Sequence, residues 1–363
     1  MVTLSLRALN RATLARQLLL TRADLPAIEA IEHLIGMQAQ LAMPPFVGLW
    51  SRLANFQRAE LAELLAERQV VRATLMRATL HLISTHDYVK FRTTIQPVLD
   101  AAGADIATRR GGAAFDRMQL LQLAYDFIAA QPRTFAEISA MLAAALPEHD
   151  IGALRYTVRT QLRLLQVPTG GEWSYPGNPA FTLAEPWLGR QLDSQERLHE
   201  LARRYLAAFG PATVADMQTW SGLAKLKEVF AELRAELVVY HDEQRRELFD
   251  LSTIHLPDEK TPAPVRFLPE FDNILLAHSK RTRIVADEHR TKVFLPGLRV
   301  AATVLIDGFV AGIWKVEENK RRATLTITLF KEPSLDERTA LLEEAEQLVR
   351  FITPTAVERV VQY

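Results

Sequence analysis

The chain has 363 residues, 48% of them hydrophobic, and its 43 Lys and Arg balance its 43 Asp and Glu. It contains no cysteine, which excludes disulfides, thiolate chemistry and zinc–thiolate sites and is typical of the reducing cytoplasm. Its apolar runs are shorter than the ~18 residues of a membrane-spanning helix, so we expect a soluble cytoplasmic protein. A net charge of zero disfavours a protein that coats nucleic acid, because such a protein would be basic overall. It still allows DNA binding through a local basic patch.

The first 110 residues predict helices followed by a two-stranded β ribbon. Leucines recur at helical spacing from Ser5 to Leu20, and Asp24 before Leu25-Pro26 is a typical helix start. The predicted elements are helices over 5–20, 24–38, 45–54 and 58–68, and strands over 70–75 and 79–84. Helices followed by a ribbon are the element order of a winged helix-turn-helix.

The same element order recurs twice, at intervals of roughly 80–100 residues. Thr134 followed by Glu137 has the spacing of a capping box and predicts a helix start. The second unit has predicted helices over 116–130, 135–146 and 150–165 and strands over 173–175 and 180–183. The third has predicted helices over 194–209, 213–220 and 222–231 and strands over 237–240 and 246–251. We therefore predict three tandem winged helices, over residues 1–110, 111–190 and 191–261.

Beyond Pro257 the pattern changes to short β runs. Several prolines mark a linker, and β runs are predicted over 292–295, 298–306, 309–316 and 323–330. Asp307-Gly308 between two of these runs is a strong hairpin signal. A helix over 334–351 closes the chain. We predict a small β domain with a terminal helix over 262–363, and an α+β fold for the whole protein.

Gln38 and Gln40 stand out because they lie at the predicted end of a helix, shortly before Pro44-Pro45. Residues i and i+2 share a face on an extended chain but not on a helix, so both amides can serve one site only if the helix ends at about Gln38. Proline favours that ending because it disfavours helical conformation in the residue before it. One interpretation is a pair of neutral amides that position a bound group. The other is a polar helix end whose amides cap its own carbonyls.

Three groups of basic and polar residues are candidates for contacts with DNA. The first is an arginine every four residues on a predicted helix, in the place of a recognition helix. The second is a set of alternate polar residues that share a face of an extended strand. The third is a basic run in a chain of zero net charge. Their members are Arg155, Arg159 and Arg163; Arg77, Thr79 and His81; and Lys280, Arg281 and Arg283. For each group the alternative is an ordinary solvated surface.

Common catalytic motifs do not occur in the sequence. It has no Gly-rich phosphate loop, no Gly-x-Ser-x-Gly elbow and no His-Glu-x-x-His motif, and its nine histidines show no metal-ligand spacing. We therefore expect neither a metal nor another cofactor. Any chemistry would depend on ordinary polar side chains.

Three segments, in this order, resemble the AlkZ/YcaQ-type winged-helix DNA glycosylases. They are Met37 to Gln40, Arg77 to His81 and Leu268 to Leu275. Their ordered combination is specific, and the resemblance extends over essentially the whole chain. One branch of that family carries Gln-x-Asp at the catalytic position, and the AlkZ-like branch carries Gln-x-Gln, the form that Gln38 and Gln40 have here.

The resemblance implies a monomeric, monofunctional DNA glycosylase that hydrolyses the N-glycosidic bond of N7-alkylguanine in double-stranded DNA. Bulky antibiotic adducts and interstrand crosslinks are among the implied lesions, as in self-resistance and repair. The implied molecule is C-shaped, with a channel that embraces DNA and contains Gln38 and Gln40. In that channel the polar strand residues would contact DNA near the lesion, the arginine stripe would grip the backbone, and the Asp307-Gly308 hairpin would insert into the duplex.

The fold alone favours a second interpretation, a non-catalytic winged-helix transcription regulator, because winged helices most often bind DNA to regulate. A regulator would need a sequence-reading helix and a dimer interface, and it would tolerate changes of either glutamine. A glycosylase would be active as a monomer and would fail when either glutamine is replaced.

Overall fold

The computed structural model of the protein describes residues 2–110, 115–319 and 321–363 and has the mixed α+β fold that the sequence predicts. The helices are α1 Leu6–Arg16, α2 Ala27–His33, α3 Pro44–Arg52, α4 Arg58–Ala66, α5 Thr85–Arg110, α6 Arg117–Ala130, α7 Phe135–Ala145, α8 Ile151–Gln161, α9 Ala184–Leu188, α10 Leu198–Phe209, α11 Val214–Ser221, α12 Lys227–Leu233, α13 Arg290–Val293 and α14 Leu335–Ile352. The strands are β1 Thr3–Leu4, β2 Met37–Gln38, β3 Val70–Thr74, β4 Leu80–Ser84, β5 Arg133–Thr134, β6 Leu164–Gln166, β7 Ala180–Leu183, β8 Leu237–Asp242, β9 Glu247–Leu251, β10 Arg266–Leu268, β11 Phe294–Leu295, β12 Arg299–Val300, β13 Thr303–Ile306, β14 Phe309–Glu318, β15 Arg322–Leu329 and β16 Glu358–Gln362.

Local side-chain caps explain where several helices begin. A cap supplies an acceptor to backbone N–H groups that the first helical turn leaves without a partner. Ser5 Oγ accepts from Ala8 N at 3.0 Å in front of α1. Capping boxes open α7, α11 and α14, formed by Thr134 with Glu137, Thr213 with Asp216, and Ser334 with Glu337. The box at Thr134 confirms the start predicted there.

A six-stranded sheet joins the two ribbons nearest the N-terminus. Its order is β2-β4-β3-β6-β7-β5, and the junction is the antiparallel pair β3–β6, with Arg72 opposite Gln166 and Ala73 opposite Leu165. The strands predicted as the wings of two separate units therefore share one set of ladder hydrogen bonds. The three tandem winged helices and the division into four domains stay predictions, and residues 111–114, beside the first boundary, lie outside the described part of the chain.

The C-terminal region is organised around a five-stranded sheet of order β10-β13-β14-β15-β16. Helix α14 covers one face, where Leu341, Ala345 and Leu348 pack against Leu325 and Trp314. Beside this sheet, β11 and β12 form a two-stranded hairpin. A third sheet, β1-β8-β9, pairs the N-terminal strand in parallel with β8.

Helix α2 ends at His33, before the predicted end at residue 38. Ile35 and Gly36 adopt left-handed φ angles of 54° and 82°, which a helix cannot contain. Gly36 also lies so close to β4 that a Cβ on it would be 2.8 Å from the Leu82 carbonyl oxygen. Approach to a distant strand therefore ends the helix, and Gln38 lies on β2 instead of at a helix end.

Other boundaries also differ from the predictions. Helix α8 ends at Gln161 and residues 164–166 form β6, so the helix predicted over 150–165 is too long. The segment 173–175, predicted as a strand, is a turn. Helix α5 was not predicted, although Tyr88, Phe91 and Ile95 recur at helical spacing on its buried face. Its interior Pro97 breaks the usual sequence rule for a helix.

The largest apolar core surrounds Trp220, which is fully buried. Its ring centroid lies 5.2 Å from that of Tyr205 and 5.7 Å from that of Phe209, on α10. The same core includes Val71 of β3 and Phe91 of α5, so segments from the first and third predicted units pack together. In the described part of the chain, no helix has both the length and the apolar surface that crossing a membrane requires.

A buried ion pair connects α1 to the third sheet. Arg16 donates to both carboxylate oxygens of Asp250, at 2.6 and 2.7 Å, and to the Leu206 carbonyl at 2.7 Å. Both side chains are almost completely buried, at 5% and 0% exposure. Separating such a pair leaves a buried charge without compensation.

We expect Asp250→Ala to lower the free energy of unfolding by about 3–5 kcal/mol, because Arg16 stays buried without its carboxylate. Glu247 lies on the same strand and pairs with Arg234 at 2.7 Å on the surface. Glu247→Ala is the matched control and should cost only about 0–1 kcal/mol, since water replaces an exposed partner. Urea unfolding of both variants measures the difference, and equal losses would contradict the structural role of Asp250.

Candidate active site

Gln38 lies on β2, directly opposite His81 of β4 in the antiparallel ladder. The next residue continues the pairing, because Ala39 N donates to the Leu80 carbonyl at 2.7 Å. The chain is therefore extended at Gln38 and Ala39 and bends at Gln40. The interpretation of the two amides as caps of a helix is wrong, since α2 ends at His33 and neither glutamine contacts its carbonyls.

Arg77 fixes the orientation of the Gln38 amide. Its Nη2 donates to Gln38 Oε1 at 2.6 Å, and its Nη1 donates to the Trp220 carbonyl. Because a guanidinium has only donors, it can face the oxygen of an amide but not its NH₂ group. The Nε2 group of Gln38 must therefore point the other way.

The side-chain oxygen of Gln40 is also held by a donor, in this case a backbone N–H group. Leu80 N donates to Gln40 Oε1 at 3.0 Å. Arg72 supports the surrounding chain by donating to the carbonyls of Ala39 and Gln40, at 2.8 and 3.1 Å. Both amide oxygens thus have a donor, whereas neither Nε2 group has a hydrogen-bond partner among the residues that the structure describes. Each oxygen keeps a second lone pair.

His81, which is paired with Gln38 across the ladder, is a neutral histidine. Burial and the nearby Arg77 charge lower its pKa from 6.5 to about 3. Its Nδ1 lies 3.0 Å from the Thr79 carbonyl, and its Nε2 lies 3.5 Å from Arg77 Nη2. These partners match a neutral ring that donates through Nδ1 and accepts through Nε2. Burial also lowers the pKa of Arg77 to about 10, so Arg77 is charged and His81 is neutral at pH 7.

The predicted strand face of Arg77, Thr79 and His81 takes a different form. Strand β4 begins only at Leu80, and Arg77 lies in a tight turn with a left-handed φ of 54°. The Thr79 hydroxyl donates to the Met76 carbonyl at 3.0 Å. Arg77 and His81 do come together, but they point into the protein beside Gln38 and not outward from a ribbon.

The third motif segment completes the site. Asn273 Oδ1 lies 3.4 Å from Arg77 Nη2, and Asn273 Nδ2 donates to the Gly36 carbonyl at 3.2 Å. Asp272 is held by two 2.8 Å hydrogen bonds from the buried Arg52. The cavity between these segments has a volume of about 10 Å³, near the size of one water molecule and far too small for a nucleobase. Its lining includes Met37, Gln38, Pro44, Arg52, Pro269, Asp272 and Asn273.

The arginine stripe is only partly available for DNA. Arg155 is exposed and Arg159 is half-buried, and both line a groove on α8 of about 350 Å³. Arg159 Nε donates to the Thr74 hydroxyl at 3.1 Å. Arg163 lies beyond the end of α8 and pairs with Glu185 at 3.0 Å, so it does not continue the stripe.

The basic run at 280–283 is also only partly available for contact with DNA. Lys280 is exposed and donates to Gln244 at 3.2 Å. The guanidinium of Arg281 stacks on the Phe294 ring, 3.9 Å from its centroid, at the base of the β11–β12 hairpin. Arg283 is buried and donates to the Pro211 carbonyl at 3.0 Å. As a buried side chain it faces protein, so it is not placed for the DNA contact that the sequence suggested.

The Asp307-Gly308 turn is attached to α1. Asp307 accepts from Arg7 and Arg11, and Asn10 Nδ2 donates to the Gly308 carbonyl at 2.7 Å. A turn held in this way cannot insert into DNA without breaking these contacts. The structure therefore gives the predicted insertion at this turn no support.

The β11–β12 hairpin, in contrast, is exposed at its tip. Leu298 at its tip is 95% exposed and has a left-handed φ of 59°, beside Gly297 at 76°. This apolar side chain is therefore free to contact another molecule. Sequence reasoning missed this feature, although Pro296-Gly297 between β runs is a turn signal. In the described ranges, no three His, Asp or Glu side chains are grouped so that they could hold a metal ion.

Comparison with known families decides the assignment. The model of the family "DNA glycosylase AlkZ-like" matches residues 31–351. The chain belongs to this family. Membership indicates a hydrolase that acts on glycosyl bonds and has DNA as its substrate.

Two comparisons, one of sequence and one of structure, agree with this assignment. The "Interstrand DNA cross-link repair glycosylase" of Streptomyces sahachiroi is 24% identical over 357 residues, which are 92% of this chain and 93% of that protein. The structure of Streptomyces sahachiroi DNA glycosylase AlkZ superposes with a TM-score of 0.78 at 20% identity and covers 99% of this chain and 100% of its own. The structural likeness shows a shared fold. Neither comparison supports a transcription regulator.

The shifted pKa of His81 predicts a pH dependence of stability. The unfolded chain binds a proton at this histidine near pH 6.5, whereas the folded protein binds it only near pH 3. Stability from the buried neutral ring is therefore complete above 6.5, and we expect the free energy of unfolding to fall as the pH drops from 6.5 towards 3. His278, whose pKa burial also lowers to about 3, acts in the same direction.

Replacement of His81 by glutamine removes its share of this dependence. Urea unfolding at several pH values between 6.5 and 4 should give a smaller slope for His81→Gln than for wild type. The other titrating groups are common to both proteins and cancel in the comparison. Parallel curves would show that His81 is protonated equally in the folded and unfolded states.

Proposed function

We propose that this protein hydrolyses the N-glycosidic bond of N7-alkylguanine in double-stranded DNA, as a monofunctional and monomeric glycosylase. The observation that supports this best is the orientation of Gln38 and Gln40, whose oxygens both meet donors while both Nε2 groups have no partner in the described structure. Two amides, two residues apart and each held by a donor on its oxygen, form a neutral, preorganised site. Neither of them is an acid or a base near pH 7.

A neutral site suits a base that is already charged. Alkylation at N7 gives guanine a positive charge, so the C1′–N9 bond breaks as the base departs neutral, without protonation by the enzyme. Water then forms a bond to the electron-poor C1′, and its proton passes to solvent. The amides orient this water and the departing nucleoside, and because their donors already fix them, little reorganisation accompanies the reaction.

Unmodified guanine lacks this advantage. Its departure needs protonation, and the groups beside Gln38 do not offer an acid, since His81 is neutral at pH 7 and Arg77 holds its proton. We therefore expect activity on cationic adducts and very little on normal guanine. The small cavity beside Gln38 also favours reaction on a nucleotide that lies against the surface rather than in a deep pocket.

DNA would be held by exposed cations and by the hairpin. Arg155 and Arg159 line an open groove, Arg281 stacks at the base of the β11–β12 hairpin, and exposed Lys280 lies beside Gln244. Contacts of this kind neutralise phosphates without reading sequence, which suits a repair enzyme. Leu298 at the hairpin tip would insert between bases, as apolar wedges do in other DNA-bending proteins.

The lesion would include bulky adducts and interstrand crosslinks. The name of the Streptomyces sahachiroi relative states crosslink repair, and an attached second strand prevents a base from turning fully out of the helix. A surface site with an inserting hairpin does not need that rotation. The role would then be repair or self-resistance against DNA-alkylating antibiotics.

Replacing either glutamine should abolish most of the activity. We expect Gln38→Ala and Gln40→Ala each to lower the single-turnover rate of base release from an N7-methylguanine duplex by about 10²–10³-fold, because each amide is a preorganised contact. Exposed Gln57 supplies the control, Gln57→Ala, which should release base at the wild-type rate. Alkali cleavage of the resulting abasic sites measures the rate.

Folded variants that keep full activity would rule out the glutamine pair as the catalytic groups. If wild type binds DNA but releases no base from either methylated or bulky adducts, the glycosylase assignment for this chain is wrong. That result would favour the interpretation of the protein as a transcription regulator.

Arg77 is half-buried and its guanidinium donates to Gln38 and to the Trp220 carbonyl, so we expect its replacement to lower the rate and not the DNA affinity. Arg77→Lys should lower the single-turnover rate by about 10–100-fold, since an ammonium cannot replace the two-sided guanidinium contact to Gln38 and Trp220. Arg68 is a matched control, with a similar φ of 60° and a 2.7 Å hydrogen bond to the Trp187 carbonyl. Arg68→Lys should retain the wild-type rate.

A loss of DNA affinity without a loss of rate would assign Arg77 to DNA binding. If Arg77→Lys weakens DNA affinity while the rate at saturating enzyme is unchanged, the contact to Gln38 is not functional. The phosphate contact that the sequence suggested for Arg77 would then be correct.

A further inference from the structure

A second cavity lies next to the glutamine site and is much larger. It has a volume of about 450 Å³, within the range of about 300–1,000 Å³ that is typical of small-molecule sites. It opens on the face of the five-stranded sheet opposite α14. The residues that form it include Met43, Glu270, Leu295, Ile313, Trp314 and Thr328.

The two cavities share a wall. Met43 lines the large cavity and its neighbour Pro44 lines the small one that contains Gln38. In the same way Glu270 lines the large cavity and Pro269 the small one. Two separate chain segments therefore pass directly from one cavity to the other, so a group held at Gln38 is adjacent to the large cavity.

The hairpin forms the far side of the large cavity. Leu295 belongs to β11, and Ala301 follows the end of β12. The cavity is thus bounded by the glutamine site on one side and by the hairpin that carries Leu298 on the other. A nucleotide held between these two features would present its substituents to the cavity.

Glu270 gives the cavity its polarity. It is half-buried, and in the described residues its carboxylate has no hydrogen bond or ion pair. Burial raises its pKa, and the charge of Arg299 acts in the opposite direction. The other charged group, Lys315, is already paired with Glu317 at 3.0 Å. A partly desolvated acid in a cavity lined by Met43, Leu295 and Ile313 favours a ligand with apolar surface and a hydrogen-bond donor or positive charge.

We propose that this cavity binds the substituent that the alkylated guanine carries, an aromatic or fused-ring group with a donor or cationic nitrogen that meets Glu270. The proposal rests on the proposed function and adds the part of the protein that recognises the size of the lesion. N7-methylguanine has no such group and does not use the cavity. A bulky adduct gains apolar burial and a polar contact there.

The test is to fill the cavity without changing the core. Thr328 lines the cavity from an exposed position of β15, opposite Ile313, where a strand tolerates an aromatic side chain. Thr328→Trp should slow release of an N7-guanine adduct that carries a fused aromatic amine by about tenfold or more. Release of N7-methylguanine should stay within about twofold of wild type, because that lesion does not reach the cavity.

Thr324→Trp is the matched control. Thr324 lies on the same face of the same strand, four residues away opposite Glu317, and does not line the cavity. The Thr324→Trp variant should release both lesions at the wild-type rate. Equal effects of the two tryptophans, or equal loss on both lesions in Thr328→Trp, would overturn the proposal.

Glu270→Gln tests the polar contact. Its isosteric amide should lower the rate for the adduct with a free amine by about tenfold and leave the rate for the same adduct with an acetylated amine nearly unchanged. An identical effect on both adducts would remove Glu270 from recognition.

Failure of the proposed function gives a different pattern. If wild type releases neither lesion, the glycosylase assignment fails, and affinity for the adducted and the methylated duplex then tests the cavity alone. Tighter binding of the bulky duplex that Thr328→Trp removes would retain the cavity as a lesion-binding site. Equal binding of both duplexes would reject it.

Discussion

The guanidinium of Arg77 joins the three segments on which the site depends. One guanidinium contacts Gln38 on β2, the Trp220 carbonyl at the end of α11, and Asn273 in the C-terminal region. It is a half-buried cation without a carboxylate partner among the described residues, and the donors that face the protein meet neutral oxygens. This contact turns the Gln38 oxygen towards Arg77 and its NH₂ group away from it. The same contact places the aromatic core around Trp220 directly behind the glutamine pair.

A site built from fixed neutral amides beside a neutral His81 has a defined chemical range. It can orient water and a nucleoside, but it cannot supply a proton to a poor leaving group near pH 7. In the proposed function, selectivity for cationic bases would follow from the absence of an acid near Gln38, and selectivity for size would follow from the cavity at Glu270. Chemistry and recognition are therefore assigned to adjacent but separate parts of the molecule, divided by the segments at Met43–Pro44 and Pro269–Glu270.

Predictions from the sequence succeeded where the cause was local. The capping box at Thr134 and the helix over 334–351 depend on residues within one or two turns, and the structure contains both. The predictions failed where a contact with a distant part of the chain determines the local structure. Helix α2 stops early because Gly36 approaches β4, and α5 continues through Pro97 because its apolar face packs into the large core. Arg283 was chosen as a basic surface residue, yet it satisfies carbonyls in the interior.

The sequence by itself determined the class of fold, the family resemblance and the two glutamines as the residues of interest, because these follow from local periodicity and from ordered short motifs. Only the tertiary structure decided how those residues are presented. Residues 38, 77 and 273 are far apart in the chain, and their meeting depends on ladder pairing and packing that no local pattern encodes. The direction of an amide, the burial of an arginine and the wall between two cavities are set by partners that folding brings together.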